Sequence, residues 1–164
     1  MVRLTRLSLV SVFALTPGLA LAQEPARNVS GHVGVAVPLV TVTGDETTTV
    51  GDAFVLAHPI GIGLGVSERL TVDFEMVVAN PIDPTGNTAL TVDPGVVYNA
   101  GPVALGLRLA FNVGALANVG LIPLVNRGLV DFGGATWFVE AAFPTFYSDH
   151  DVAFTVVAHT GVGF

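Results

Sequence analysis

The sequence contains no cysteine and no lysine, and only 12% of its residues are charged. A chain without cysteine cannot form disulfides, so its stability must come from burial or from a membrane. It has 6 Lys+Arg, all of them arginine, against 13 Asp+Glu, which gives a net charge of −7. Nucleic-acid binding usually requires a basic surface, and we therefore predict no nucleic-acid partner.

Long hydrophobic runs are also missing, although the mean hydropathy is +0.70. After residue 22 no stretch of about 18 apolar residues is free of Gly, Pro or charge, so no transmembrane helix is predicted. High hydropathy without such a helix indicates strands. In lipid, strands must close on themselves, because every backbone N–H and C=O has to be paired.

The first 22 residues have the parts of a secretory signal peptide. Arg3 and Arg6 precede an apolar run at 7–15, and small residues at 20–22 form a cleavage site before Gln23. We predict a cleaved signal peptide at 1–22 and one barrel domain at 23–164. With four arginines and 13 acidic residues, the mature chain would carry a net charge of 4 − 13 = −9.

From residue 30 onward the side chains alternate with the period of two that is typical of β-strands. Polar or Gly/Pro-rich turns separate the segments. In the fifth segment, Leu105, Leu107, Leu109 and Phe111 form an unbroken apolar stripe on one face. The sequence predicts eight strands, at 30–43, 52–66, 70–78, 88–98, 103–113, 118–126, 136–147 and 151–164.

Four prolines lie inside these predicted strands: Pro59, Pro94, Pro123 and Pro144. Proline removes a backbone donor, and a closed barrel has no free edge where that loss costs nothing. The prolines therefore mark either bulges or the true ends of strands. The segments that begin at Pro59, Pro94 and Pro144 also resemble a weak hairpin repeat, and if the turn at 148–151 corresponds to the tight turn at 67–69, the short sixth strand would be lost and the even strand number with it.

The last predicted strand is apolar on alternate residues from Val152 onward and ends at Phe164. Such an end resembles the closing strand of bacterial outer-membrane β-barrels, where it is the recognition signal of the assembly machinery. The resemblance implies an all-β, eight-stranded antiparallel up-and-down transmembrane β-barrel in the outer membrane. It also implies a monomer whose partners are outer-membrane lipid and the barrel assembly machinery. Eight strands return the C-terminus to the periplasmic side.

Seven titratable side chains point into the lumen under this register. One arginine among four carboxylates predicts a buried network with Arg108 as its hub, and we favour a structural role for it. Most other inward residues are Gly or Ala. They indicate either a narrow, acidic, water-filled lumen that favours cations, or tight strand twist around trapped water. The seven residues are Arg108, Asp73, Glu75, Asp93, Glu140, His32 and His159.

The sequence thus predicts an outer-membrane barrel with a structural or narrow small-solute or cation permeation role. One alternative is a soluble exported barrel that binds an apolar ligand. Another is a lipid-modifying enzyme, since small outer-membrane barrels include deacylases and palmitoyl transferases. No catalytic residue is predicted, because His150 lies in a polar turn and His159-Thr160 differs from the deacylase His-Ser pair. No cofactor is expected, and the histidines lack metal-ligand spacing.

Overall fold

The computed structural model describes residues 28–114, 118–148 and 151–164, and the predicted signal peptide at 1–22 lies outside them. No helix in the described part of the chain is long and apolar enough to cross a membrane. The described elements are the strands β1 (Val29–Thr43), β2 (Glu46–Thr49), β3 (Phe54–Gly65), β4 (Leu70–Asp83), β5 (Ala89–Asn99), β6 (Ala104–Val113), β7 (Val119–Asp131), β8 (Thr136–Ala142), β9 (Thr145–Tyr147) and β10 (Val152–Gly163).

The strands form a closed antiparallel barrel with eight strand positions around its circumference, which are called walls below. Each wall pairs with the next along the chain, and β10 pairs back onto β1 from His32↔Gly163 to Thr43↔Ala153. β8 and β9 make one wall together, because both lie between β7 and β10. This confirms the predicted eight-stranded antiparallel barrel, including the sixth strand, which is β7.

Some boundaries differ from the prediction. β7 continues past 126 to Asp131, and β4 continues past 78 to Asp83. β2 forms within a segment predicted as a polar loop, and it pairs with the end of β1. The turn that follows β2 is fixed by Asp52, whose carboxylate accepts hydrogen bonds from the Thr49 N–H at 2.9 Å and from the Thr49 hydroxyl at 2.7 Å. These bonds hold the pKa of Asp52 below its ordinary value.

The prolines interrupt the hydrogen-bonded ladders locally and do not end the barrel walls. The β1–β3 pairing has a gap beside Pro59, and the β5–β6 pairing has one beside Pro94. Pro144 falls in the break between β8 and β9, while Pro123 stays paired with Leu107 of β6. The gaps beside Pro59 and Pro94 are each confined to one ladder, and at the Pro144 break the Phe143 N–H donates to Pro123 O and the Thr155 N–H to Pro144 O, so the barrel closes without the missing donors.

The barrel is apolar outside and charged inside. Leu105, Leu107 and Leu109 on β6 are 47%, 49% and 50% exposed, whereas Arg108 between them is 3% exposed. A soluble barrel would have the opposite arrangement, with its large apolar side chains buried. The outward face of the described strands therefore has the polarity of a lipid-facing surface.

Aromatic side chains sort to the two ends of the barrel. The turn end carries the barrel's two termini and the short connections at 66–69, 100–103 and 132–135, and the loop end carries the other connections. The strand register groups Tyr98, Trp137 and Phe164 at the turn end. It groups Phe54, Phe111, Tyr147 and Phe154 at the loop end. Two aromatic bands around an apolar belt are typical of transmembrane barrels.

Candidate functional site

The seven predicted lumen residues lie together inside the barrel and are called the lumen cluster below. They come from six strands: β1 supplies His32, β4 supplies Asp73 and Glu75, and β5, β6, β8 and β10 supply one residue each. Because side chains alternate along a strand, each of these positions faces inward while its neighbours face outward. The last four members are Asp93, Arg108, Glu140 and His159, and all but His32 are at most 7% exposed.

Arg108 contacts three carboxylates. Its Nε donates to Asp73 Oδ2 at 2.8 Å, and its Nη2 lies 2.7 Å from the same oxygen. Its Nη1 donates to Glu75 Oε1 at 2.9 Å and lies 3.6 Å from Glu140 Oε1. One guanidinium thereby connects β4, β6 and β8 across the lumen, and its hydrogen bonds to Asp73 and Glu75 are charge-assisted, which makes them stronger than neutral ones.

The two lumen histidines extend this contact to the strands that close the barrel. His32 Nε2 lies 2.6 Å from Glu75 Oε2, and His159 Nδ1 lies 3.2 Å from Glu140 Oε1. Both rings also pack in a T-shaped arrangement against the Phe138 ring, with centroid distances of 6.1 Å for His32 and 5.1 Å for His159. Since β1 and β10 form the closing seam, the histidines couple the seam to the carboxylates around Arg108.

Asp93 is the exception within the cluster. It is 0% exposed, and neither carboxylate oxygen has a hydrogen-bond partner among the described residues. It pairs across strands with Glu75, so a second carboxylate is adjacent to it. A buried carboxylate without a partner is costly, because it has lost the hydration it had in water.

Glycines opposite the large cluster members provide the space that those side chains occupy. A Cβ on Gly61 would collide with the His32 ring, and one on Gly34 would collide with His159. A Cβ on Gly95 would lie 2.6 Å from Arg108 Cγ. Neighbouring side chains therefore occupy the space beside these three glycines.

Two residues of the site were not predicted from the sequence. Phe138 packs against both histidines, and Asn126 Nδ2 donates to Glu140 Oε2 at 3.1 Å. Both follow from the same inward alternation on β8 and β7, so the pattern that identified Glu140 also contained them. Neither side chain is charged, so neither belongs to the predicted set of titratable lumen residues.

The lumen cluster lies between two cavities. The turn-side cavity has a volume of about 590 Å³ and reaches from Phe164 and Thr136 to the cluster. The loop-side cavity has a volume of about 200 Å³ and reaches from the cluster to Thr91 and Thr155. Arg108 and Glu140 line both cavities, so the middle of the lumen is occupied by their side chains.

Within the described residues, nothing groups three or more His, Cys, Asp or Glu side chains in a way that suits a metal ion. Both lumen histidines contact carboxylates, and the described contacts include no hydrogen bond from either ring to a Ser or Thr hydroxyl. The polar turn considered for catalysis is only partly visible, because His150 and residue 149 lie outside the described residues.

Comparison with known proteins supports the fold. No family model matches the sequence, and neither does any curated protein. Among solved structures, the chain is similar to Ail, the attachment invasion locus protein of Yersinia pestis, solved in complex with the heparin analogue sucrose octasulfate. The TM-score is 0.51 at 11% identity, over 84% of this chain and 99% of that one. It is also similar to neisserial surface protein A, with a TM-score of 0.52 at 16% identity, over 83% and 97% of the two chains.

The chain therefore has the fold of the small eight-stranded outer-membrane β-barrels. At these identities the likeness concerns the fold alone. What the barrel does has to be argued from its own surface and lumen.

Proposed function

We propose that the protein is a monomeric barrel embedded in a bacterial outer membrane, with its turn end facing the periplasm, and that its role is structural. The observation that carries this proposal is the polarity of the barrel, which is apolar outside and charged inside. β6 has 10 residues, Ala104–Val113, and tilted strands of about 9–11 residues span a bilayer. The same polarity argues against a soluble barrel that carries an apolar ligand.

The structural role follows from the lumen cluster. Its ion pairs connect five strands, β1, β4, β6, β8 and β10, and its side chains occupy the lumen between the two cavities. Arg108 and Glu140 line both cavities, so their side chains lie between hydrated solutes on the two sides, which supports the structural role. The contacts of both lumen histidines with carboxylates, and not with hydroxyls, favour a non-catalytic role over a lipid-modifying one.

A second candidate function is narrow cation permeation. The lumen cluster contains four carboxylates but one arginine, so any path that opened beside Arg108 would attract cations. This path requires the arginine side chain to leave its carboxylates. The two candidates differ in whether the barrel conducts.

We further propose that residues 1–22 direct export and that Phe164 is the signal for the barrel assembly machinery. Its backbone exchanges two hydrogen bonds with Gly31 at 2.7 and 2.9 Å, which fixes the end of β10. Its side chain is nevertheless 64% exposed, which suits recognition by another protein.

Replacing Phe164 with Ala should reduce the amount of folded barrel in cells but not refolding of purified protein. Phe132→Ala at the same end, where Phe132 is 66% exposed, is the matched control.

The proposal is tested by expressing the chain with its signal and comparing boiled and unboiled outer-membrane samples by gel mobility. A faster-migrating unboiled band is expected from a closed barrel. A soluble periplasmic product without this shift would contradict the membrane assignment.

Planar-bilayer recordings then separate the two functions. The structural role predicts no discrete conductance, whereas permeation predicts cation-selective steps that weaken in Asp93→Asn.

A further inference from the structure

The loop-side cavity contains two buried polar groups that have unused hydrogen-bonding capacity. Both oxygens of Asp93 and the Nε2 of His159 have no partner among the described residues. The two side chains are 0% and 5% exposed, and both line the cavity. Buried polar atoms in native proteins almost always have partners, so those that line this cavity are expected to find theirs within it, in bound water or in a ligand.

The charges of the lumen cluster indicate the sign of the charge on that ligand. Arg108 and the two histidines contact Asp73, Glu75 and Glu140, but none of them contacts Asp93. Even if both histidines were protonated, three cations would face four carboxylates, and 3 − 4 leaves one negative charge. Asp93 is the carboxylate in the cluster that lacks a cation, so in its ionised form it suits a single positive charge.

The volume and the remaining lining of the loop-side cavity indicate the size and polarity of the ligand. A cavity of about 150 Å³ is sufficient for benzene. The volume here is about 200 Å³, which leaves room for one small ring or a branched alkyl group with an ammonium. A primary ammonium has three N–H donors, as many as the unpartnered atoms. Apolar side chains dominate the wall, among them Ala36, Pro38, Ala57, Pro59, Val77 and Ile122.

We propose that the loop-side cavity binds a small organic monocation, a primary ammonium on a compact apolar body, with the ammonium donating to Asp93 and His159 Nε2. This goes beyond the structural role proposed above and does not require the lumen to conduct. A polyamine is a poorer fit, because the other carboxylates that line this cavity, Glu75 and Glu140, already contact Arg108 and the histidines. An anion is disfavoured by Asp93, since the guanidinium of Arg108 is already surrounded by carboxylates.

The test is a titration of the folded barrel in detergent, monitored by methyl NMR of labelled alanines. The probes are benzylammonium, the neutral benzyl alcohol and the anionic benzoate, which share one ring. Saturable shifts are expected for the methyls of Ala36, Ala57 and Ala142 with benzylammonium. The methyl of Ala104, which lines the turn-side cavity, should not shift. Equal responses to benzyl alcohol would mean that Asp93 is uncharged, and a preference for benzoate or no saturable shift would also overturn the proposal.

Two further measurements assign the contacts. Asp93→Asn keeps the shape and removes the charge, and it should weaken benzylammonium binding by about 10- to 100-fold. Asp131→Asn, in the turn-side cavity, should leave it unchanged. If Asp93→Asn fails to fold, the contacts are tested instead by titrating the wild-type barrel with trimethylbenzylammonium. This probe keeps the positive charge but has no N–H donor. Equal binding of that probe would overturn the assignment. A barrel that shows the gel shift without binding contradicts this inference alone, whereas a chain that forms no barrel contradicts the proposed function.

Discussion

Arg108 is expected to contribute more to the stability of the barrel than any other arginine that the structure describes. It is 3% exposed and contacts Asp73, Glu75 and Glu140. Replacing Arg108 with Ala leaves these carboxylates buried without the guanidinium. Removing one partner of a buried ion pair typically costs about 3–5 kcal/mol, because the remaining charge is neither hydrated nor paired. We expect a loss of this size in the free energy of unfolding.

The assay is urea unfolding of the refolded barrel in detergent or lipid vesicles. With a slope of about 2 kcal/mol per molar urea, the midpoint should fall by roughly 1.5–2.5 M. Arg69→Ala is the control with the same change in charge. The guanidinium of Arg69 is exposed and donates to the Tyr98 hydroxyl at 3.4 Å. Its loss should change the stability by no more than about 0.5 kcal/mol.

A double variant distinguishes lost charge compensation from lost packing. Asp73 contacts Arg108 through a single oxygen, at 2.7 and 2.8 Å, and has no other cation beside it among the described residues. Adding Asp73→Asn to Arg108→Ala should therefore recover about 1–3 kcal/mol. Equal midpoints for Arg108→Ala and Arg69→Ala would refute the central role of Arg108. No recovery in the double variant would mean that packing dominates.

Two other substitutions test the outer face and the close contacts of the lumen. Leu107→Arg should cost about 2–4 kcal/mol if this residue faces the middle of the bilayer, whereas Val113→Arg near the loop end should cost about 0–1 kcal/mol. Refolding into vesicles measures both, and equal tolerance would contradict the lipid-facing assignment. Gly95→Ala should destabilise the barrel by about 1–3 kcal/mol, because its Cβ would lie 2.7 Å from Arg108 Cα. Gly163→Ala, whose nearest atoms would lie at 3.8 and 4.0 Å, should be tolerated in the same unfolding assay.

The strand number and the facing of the side chains could be predicted from the sequence because both depend on a local period of two. In β6 the outward leucines and the inward Arg108 follow directly from this alternation. The same rule fails for β2, whose Glu-Thr-Thr-Thr sequence has no apolar face. β2 forms because it continues the hairpin from β1 and because Asp52 closes its turn, and neither signal is an alternation.

The contacts within the lumen cluster could not be predicted in the same way. Which inward residues share a height depends on the stagger between neighbouring strands, and that stagger is set when the whole sheet closes. The register shifts at Pro38/Val40 and at Gly128/Val130 change it further. The sequence therefore identified Arg108 as a hub among carboxylates but did not show that Asp93 would be left without a partner.

The glycines show why an acidic, glycine-rich lumen is not by itself evidence for a pore. Counted along single strands, Gly34, Gly61 and Gly95 suggest empty space inside the barrel. Across strands, each faces a large residue, and that residue fills the space which the missing side chain leaves. Among the described residues, cavities lie on both sides of the cluster, and the two that Arg108 and Glu140 line differ in size and polarity. Because the unpaired carboxylate lines the smaller and more apolar cavity, the residual charge is better suited to holding one organic cation than to conducting many ions.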